Sequence, residues 1–186
     1  MVGWIILGVL AAMVIWMIAI FNSLVSLKNQ TLNGWKQIDV QLKRRHDLIP
    51  NLVETVKGVM SFEQKTLTQV IEARNRAISA QGVADKAVQE NVLSGALRQL
   101  FALVENYPNL KSNENVSKLQ EELSSTENRI GFARQFYNDI ATKFNIAQQT
   151  FPTNMVAGML GFQAAELFEI TDAAEKEVPK VDLNLK

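Results

Sequence analysis

The chain passes through three regimes of hydrophobic and polar patterning. From Met1 to Leu27 the only residues that are not hydrophobic are Gly3, Gly8, Asn22, Ser23 and Ser26. At ~1.5 Å rise per residue a helix over Val2 to Phe21 covers roughly 30 Å, the depth of a bilayer's hydrocarbon core. A cleaved signal peptide needs a basic start, a shorter apolar run and a small-x-small cleavage site. Here no Lys or Arg precedes the run, and Asn-Ser-Leu-Val-Ser-Leu follows it, so the pattern predicts an uncleaved transmembrane anchor. From Lys28 onward apolar positions instead recur at three- and four-residue steps. The clearest series is Val116, Leu119, Leu123, Thr126, Ile130, Ala133, Tyr137, Ile140, Phe144, Ala147 and Phe151, which predicts one long helix with partners beside it.

A second seam runs through Trp35, Ile38, Leu42, Arg45, Ile49, Leu52, Val56 and Val59. It keeps its phase across Pro50, which favours a kinked helix over two unrelated elements, with an end near Ile49 as the competitor. An amphipathic stretch from Phe62 to Ile78 follows and stops at Gln81-Gly82. A third helix is expected from about Ala84 to Tyr107, with Val88, Leu93, Leu97, Leu100, Val104 and Tyr107 on its apolar face and Pro108 ending it. Ser112, Asn113 and Asn115 are N-cap candidates for the long helix. The predicted fold is all-α: an N-terminal transmembrane helix, then a long antiparallel bundle of three to four helices with coiled-coil-like packing, then a short apolar tail. The divisions are 1–27 for the anchor, 28–151 for the bundle and 152–186 for the tail. Val181, Leu183 and Leu185 alternate with polar residues and suggest an edge strand or an extended strap.

Charge sharpens this division. The 19 Lys and Arg residues balance 19 Asp and Glu residues, and all of them lie at or beyond Lys28. Positive residues close to a span are retained in the cytoplasm. Lys28, Lys36, Lys43, Arg44 and Arg45 all follow the anchor, so the N-terminus is expected outside and the C-terminal domain inside. With zero net charge, bulk electrostatics gives no support to nucleic-acid binding. Lys43-Arg44-Arg45 is the only basic hook, and it lacks interleaved aromatics. The absence of cysteine excludes disulfides, thiolate metal sites and a cysteine nucleophile.

Polar residues on or beside the seams are the places where chemistry would sit. Arg45 lies on the first seam with His46, the only histidine, beside it; Glu63 and Arg74 are eleven apart; Glu127 and Arg134 adjoin the long seam; Glu105 is near the end of the third helix. A carboxylate-bridged metal bundle needs Glu-x-x-His pairs, and position 43, three before His46, is Lys. Arg45, Glu63, Arg74, Glu105, Glu127 and Arg134 are therefore read as inter-helical ion-pair candidates, with no metal and no cofactor expected. No phosphate-cradling loop or nucleophile elbow occurs, so no enzyme is expected. Gly8 and Ala12 form a small-xxx-small pair that makes them oligomer-interface candidates, since it lets two anchors pack closely, although such pairs are common by chance in apolar segments. In the tail, Met155, Val156, Met159, Phe162 and Phe168 either cap the bundle, the favoured reading, or dock on a neighbouring protomer or on lipid. Their low basic content favours protein over lipid.

Several separated stretches resemble one family. Arg44-Arg45-His46-Asp47-Leu48-Ile49-Pro50-Asn51-Leu52-Val53, Glu105-Asn106-Tyr107-Pro108-Asn109-Leu110-Lys111, Thr126-Glu127-Asn128, Ala133-Arg134-Gln135-Phe136-Tyr137-Asn138 and Phe151-Pro152 are similar, in this order, to the bacterial LemA family. The resemblance implies a single-pass inner-membrane protein with a cytoplasmic long-helix bundle and no established enzymatic activity. The expected function is a non-enzymatic scaffold that forms homo-oligomers in contact with the bilayer and organises or bends it. An adaptor for a membrane protease, transporter or sensor is the alternative, with Lys43, Arg44, Asp47, Asn106 and Asn109 as docking or headgroup surface.

Overall fold

The structure is a computed structural model and describes residues 1–58 and 63–169. Six helices follow one another: α1 (Val2–Lys57), α2 (Gln64–Ser79), α3 (Gly82–Val104), α4 (Pro108–Lys111), α5 (Glu114–Gln149) and α6 (Thr153–Met159). No strand occurs among the described residues, so the all-α expectation holds. Val59, Phe62, Ile170 and the expected strap from Val178 to Lys186 lie outside the described residues.

With 56 residues, α1 extends about 84 Å and carries the apolar run into the bundle without interruption. An 18-residue apolar window within it is wholly unburied, and Gly8 and Ala12 are both exposed. The helix also runs through Pro50, so it does not end near Ile49. Proline has no amide to give to the carbonyl four residues back, which is that of His46. Arg74 takes over this role, its Nε–H donating to the His46 carbonyl at 2.7 Å. Arg74, read in the sequence as an inter-helical ion-pair candidate, thus bonds a backbone carbonyl of α1. Glu63 stands at the N-cap of α2 and accepts from the Tyr107 hydroxyl at 3.4 Å.

Below the span, α1, α2, α3 and α5 run alternately down and up. Gly82, at φ +76°, supplies the left-handed residue that turns the chain from α2 into α3. Asn113 caps α5, its side-chain oxygen accepting from the amides of Asn115 and Val116. The third helix ends at Val104, and Tyr107 instead precedes α4. Val88, expected on its apolar face, is exposed; the buried face is Ala87, Glu90, Leu93, Leu97, Leu100 and Val104. Phe151 falls past the end of α5 and is exposed, joined to Pro152 by a cis peptide.

Apolar packing forms three successive cores. Farthest from the span, α1, α2, α3 and α5 enclose Ile49, Leu52, Val56, Val70, Leu93, Leu100 and Leu123. In the middle, Ile38, Leu42, Ala87, Ile130 and Tyr137 meet Phe168 of the tail. Nearest the span, Leu24 and Phe144 pack with Ala157 of α6, with Phe162 against them. Gly34 sets how closely α1 and α5 approach: a Cβ there would lie 3.4 Å from the Tyr137 Cα.

The described part of the tail packs on its own chain. After α6 an extended strap over 162–169 runs antiparallel to α5, held by two asparagines. Asn145 donates to the Ala165 carbonyl at 2.9 Å and accepts from its amide at 2.8 Å. Asn138 does the same for Phe168, at 3.1 and 2.8 Å. Seven helical residues rise about 10.5 Å and three extended residues about 10 Å, so the two spacings match. Of the tail residues singled out in the sequence, Val156 and Phe168 are buried and Phe162 is half-buried, whereas Met155 and Met159 are exposed.

Candidate functional site

The polar centre of the bundle is built on Arg45. The first seam turns this residue inward, and the side chain is only 2 % exposed among apolar neighbours. A buried guanidinium must be paired and hydrogen-bonded to be tolerated. Its two terminal nitrogens meet the carboxylates of Glu90 on α3 and Glu127 on α5, and they also reach the Ser94 hydroxyl at 2.9 Å and the Glu90 carbonyl at 3.3 Å. Among the described residues its Nε is buried without a hydrogen-bond partner.

Glu90 is equally buried, and its second carboxylate oxygen lies 2.7 Å from His46 Nε2. Burial by itself would raise its pKa. The hydrogen bond with His46 and the charge of Arg45 outweigh that effect and hold the carboxyl below its ordinary value. Both oxygens are thus engaged, one by guanidinium and one by imidazole. The arrangement is suited to fixing the register of α1, α3 and α5. Glu127 remains about half exposed and forms the solvent edge of the cluster. Beside it opens a groove of about 390 Å³ lined by Arg45, Ser94, Arg98, Phe101, Glu127 and Asn128, among others.

Only some of the sequence candidates meet here. Arg45 and Glu127 form an ion pair, while Arg74 approaches from the other side through the His46 carbonyl. Neither Glu63 nor Glu105 is in an ion pair among the described residues; Glu105 is the exposed C-cap of α3. Arg134 lines the same groove as Arg45 and Glu127, and its guanidinium stands 5.1 Å from the centre of the Phe168 ring. Glu90, the hub of the cluster, does not stand out in the sequence reading. The signal is nevertheless present, because Glu90, Leu93, Leu97, Leu100 and Val104 continue the 3-4 spacing once Val88 is removed from the face.

The surface candidates separate into different places. Arg44 is engaged with Glu122 at 2.7 Å. Exposed Lys43 and Asp47 line a groove of about 310 Å³ with Asp39, His46, Lys86 and Glu90. Asn106 and Asn109 are exposed at the far tip, around the start of α4.

One exposed apolar helix, long enough to cross a bilayer and continuous with a helical bundle, gives this all-α protein a candidate membrane span. The LemA family model matches residues 34–183, and the chain belongs to that family. It is 28% identical over 167 residues to protein LemA of Metamycoplasma hominis, covering 88% of this chain and 73% of that protein. It is also 24% identical over 184 residues to the magnetosome proteins MamQ 1 and MamQ 2 of Paramagnetospirillum magneticum, covering 85% of this chain and 68% of each. None of these names denotes an enzyme.

Proposed function

We propose that the protein is a non-enzymatic helical scaffold that self-assembles at the bacterial inner membrane, with its bundle on the cytoplasmic side, and organises the membrane there. The observation that carries this reading is an apolar groove on the outer side of the α1 and α5 pair. Val40, Phe132 and Phe136 line it together with Lys36 and Arg129. Phe132 is 73% exposed and Val40 63%, and among the described residues nothing covers them. Exposed bulky residues grouped in this way mark protein contacts more often than scattered ones do. A second copy of the chain is the natural occupant, because the span confines every copy to one plane and one orientation, which lowers the cost of association. The Lys and Arg residues that follow the span support the cytoplasmic placement. Kinship with proteins named for the magnetosome fits a role tied to a cellular structure rather than to a small substrate.

Mass measurement of the full-length protein in native nanodiscs tests this, beside a Phe132→Ser/Phe136→Ser variant. The scaffold reading expects a discrete assembly that the double substitution reduces to monomer. A monomeric wild-type protein would contradict it. The groove at Lys43 and Asp47 supports the adaptor reading, in which a charged partner segment seats beside His46 and Lys86. A membrane-protein partner captured by the wild type and lost on Lys43→Glu, with the assembly unchanged, would favour that alternative.

A further inference from the structure

α6 and the residues flanking it form a second group of exposed apolar side chains outside the span, distinct from the groove at Val40 and Phe132. Phe151, Met155, Met159 and Leu160 are 75%, 61%, 79% and 55% exposed, and Ile146 at the end of α5 is 57% exposed. On the opposite side of α6, Val156 and Ala157 are buried against the α1 and α5 pair, so the element is two-faced.

Its height relative to the membrane follows from the antiparallel pairing of α1 with α5. Gly34 lies against Tyr137. Twelve residues farther along both helices, Gln149 comes level with about Asn22, the first polar residue after the apolar run. Two ring contacts agree with this level: Phe21 and Phe162 have their centroids 6.4 Å apart, and Lys28 Nζ stands 5.8 Å from the Phe162 ring. α6 therefore sits at the cytoplasmic end of the span.

Charge gives an independent indication. Between Phe144 and Ala165 there is no Asp, Glu, Lys or Arg, and there is none between Met1 and Leu27. These two uncharged stretches lie far apart in sequence, yet they meet at one height. Lys28 and Lys143 bound them on the side of the bundle. Lysines at such a border hold their ammonium groups in the headgroup layer while their stems lie along apolar surface.

We infer that α6 is a second membrane contact, with Phe151, Met155, Met159 and Leu160 set into the boundary between headgroups and acyl chains beside the span. Burial of this face to ~5–10 Å depth is typical of interfacial helices. Lipid is the occupant because the patch is continuous with the lipid-facing surface of α1 and at the same height. The low basic content that favours protein in a free-standing amphipathic helix matters less here, since the span already delivers α6 to the bilayer. Two attachments, span and α6, would fix the tilt of the bundle as well as its height.

This inference rests on the reading of Val2 to Phe21 as a span, and its test separates the two. The protein has no cysteine, so single substitutions Val9→Cys, Met155→Cys, Met159→Cys and Phe132→Cys each accept one NBD label without background. Each full-length variant is reconstituted in phosphatidylcholine vesicles, with and without brominated acyl chains, and is also exposed to aqueous iodide. The expected result is loss of emission in brominated lipid at Val9, Met155 and Met159, with iodide shielding at all three, and no bromolipid quenching at Phe132. Quenching at Val9 but not at Met155 and Met159 would overturn the inference while leaving the span intact. Absence of quenching at Val9 would overturn the span reading and this inference with it.

Discussion

The α1 and α5 pair is completed in two different ways at its two ends. In the membrane-distal half, α2 and α3 close a four-helix core bordered by the buried charged cluster of Arg45, Glu90 and His46. In the membrane-proximal half, among the described residues, α6 and the strap take the place of α2 and α3, fastened by side-chain hydrogen bonds from Asn138 and Asn145 to the strap's backbone. The first half depends on shape and ionic matching among side chains. The second depends on recognition of the strap's backbone by two asparagines, together with burial of the Phe168 ring beside Trp35 and Tyr137. The distal half is thus built to fix register, and the proximal half to hold an apolar element at a set height.

Substitutions can break one half and leave the other unchanged. Arg45→Ala has the largest expected effect, a loss of about 3–5 kcal/mol, because Glu90 is left as a buried charge without its guanidinium. Chemical denaturation of the purified full-length protein, followed by circular dichroism, measures it. Arg45→Met combined with Glu90→Leu is expected to restore most of the loss, since apolar replacement of both partners removes the desolvation cost. Failure of the double variant to recover would contradict the electrostatic account of the distal core.

Asn145→Ala is expected to cost about 1–3 kcal/mol through the unsatisfied amide and carbonyl of Ala165. Its effect should be local: amides of the strap lose protection from hydrogen exchange, while those of α2 and α3 keep it. Uniform loss of protection would show that the two halves unfold as one unit.

A smaller effect, about 1 kcal/mol, is expected for Arg74→Met, which strands the His46 carbonyl. On a Pro50→Ala background the same substitution should be nearly neutral, because the restored amide at position 50 can bond that carbonyl. A denaturant double-mutant cycle reads the coupling. Zero coupling would mean that Arg74 does not compensate for the proline.

The smallest and most gradual test is pH. Glu90 has its pKa lowered on folding, so its ionised form contributes stability above the ordinary glutamate value of about 4.3, and this is lost as pH falls through the lower folded value. Denaturation midpoints measured from neutral to strongly acidic pH should fall across that window, and less steeply in the Arg45→Met/Glu90→Leu variant. Equal slopes would remove Glu90 from the acid response.

Much of this arrangement is legible in the residue pattern, and the exceptions have physical causes. The 3-4 spacing predicts α5 closely and places Arg45 in the core. Glu90 is hidden because Val88, an apolar residue left on the surface, shifts the apparent phase of α3. Arg74 has its partner in a backbone carbonyl freed by Pro50, and no side-chain inventory points to a carbonyl. Asn138 and Asn145 flank the apolar seam of α5 like ordinary solvated residues; only the extended strap laid along them reveals their use. The height of α6 is a tertiary property, set by helix pairing rather than by its own composition.

One claim underlies both halves: a single unbroken helix carries the apolar span into the bundle, so that membrane and bundle are rigidly related. Hydrogen exchange of the full-length protein in nanodiscs tests it most directly over Asn22 to Lys36, where α1 leaves the apolar run and joins α5. The account predicts continuous slow exchange through this stretch, equal to that of the adjoining bundle. Fast exchange confined to it would reveal a hinge between span and bundle and would contradict the account.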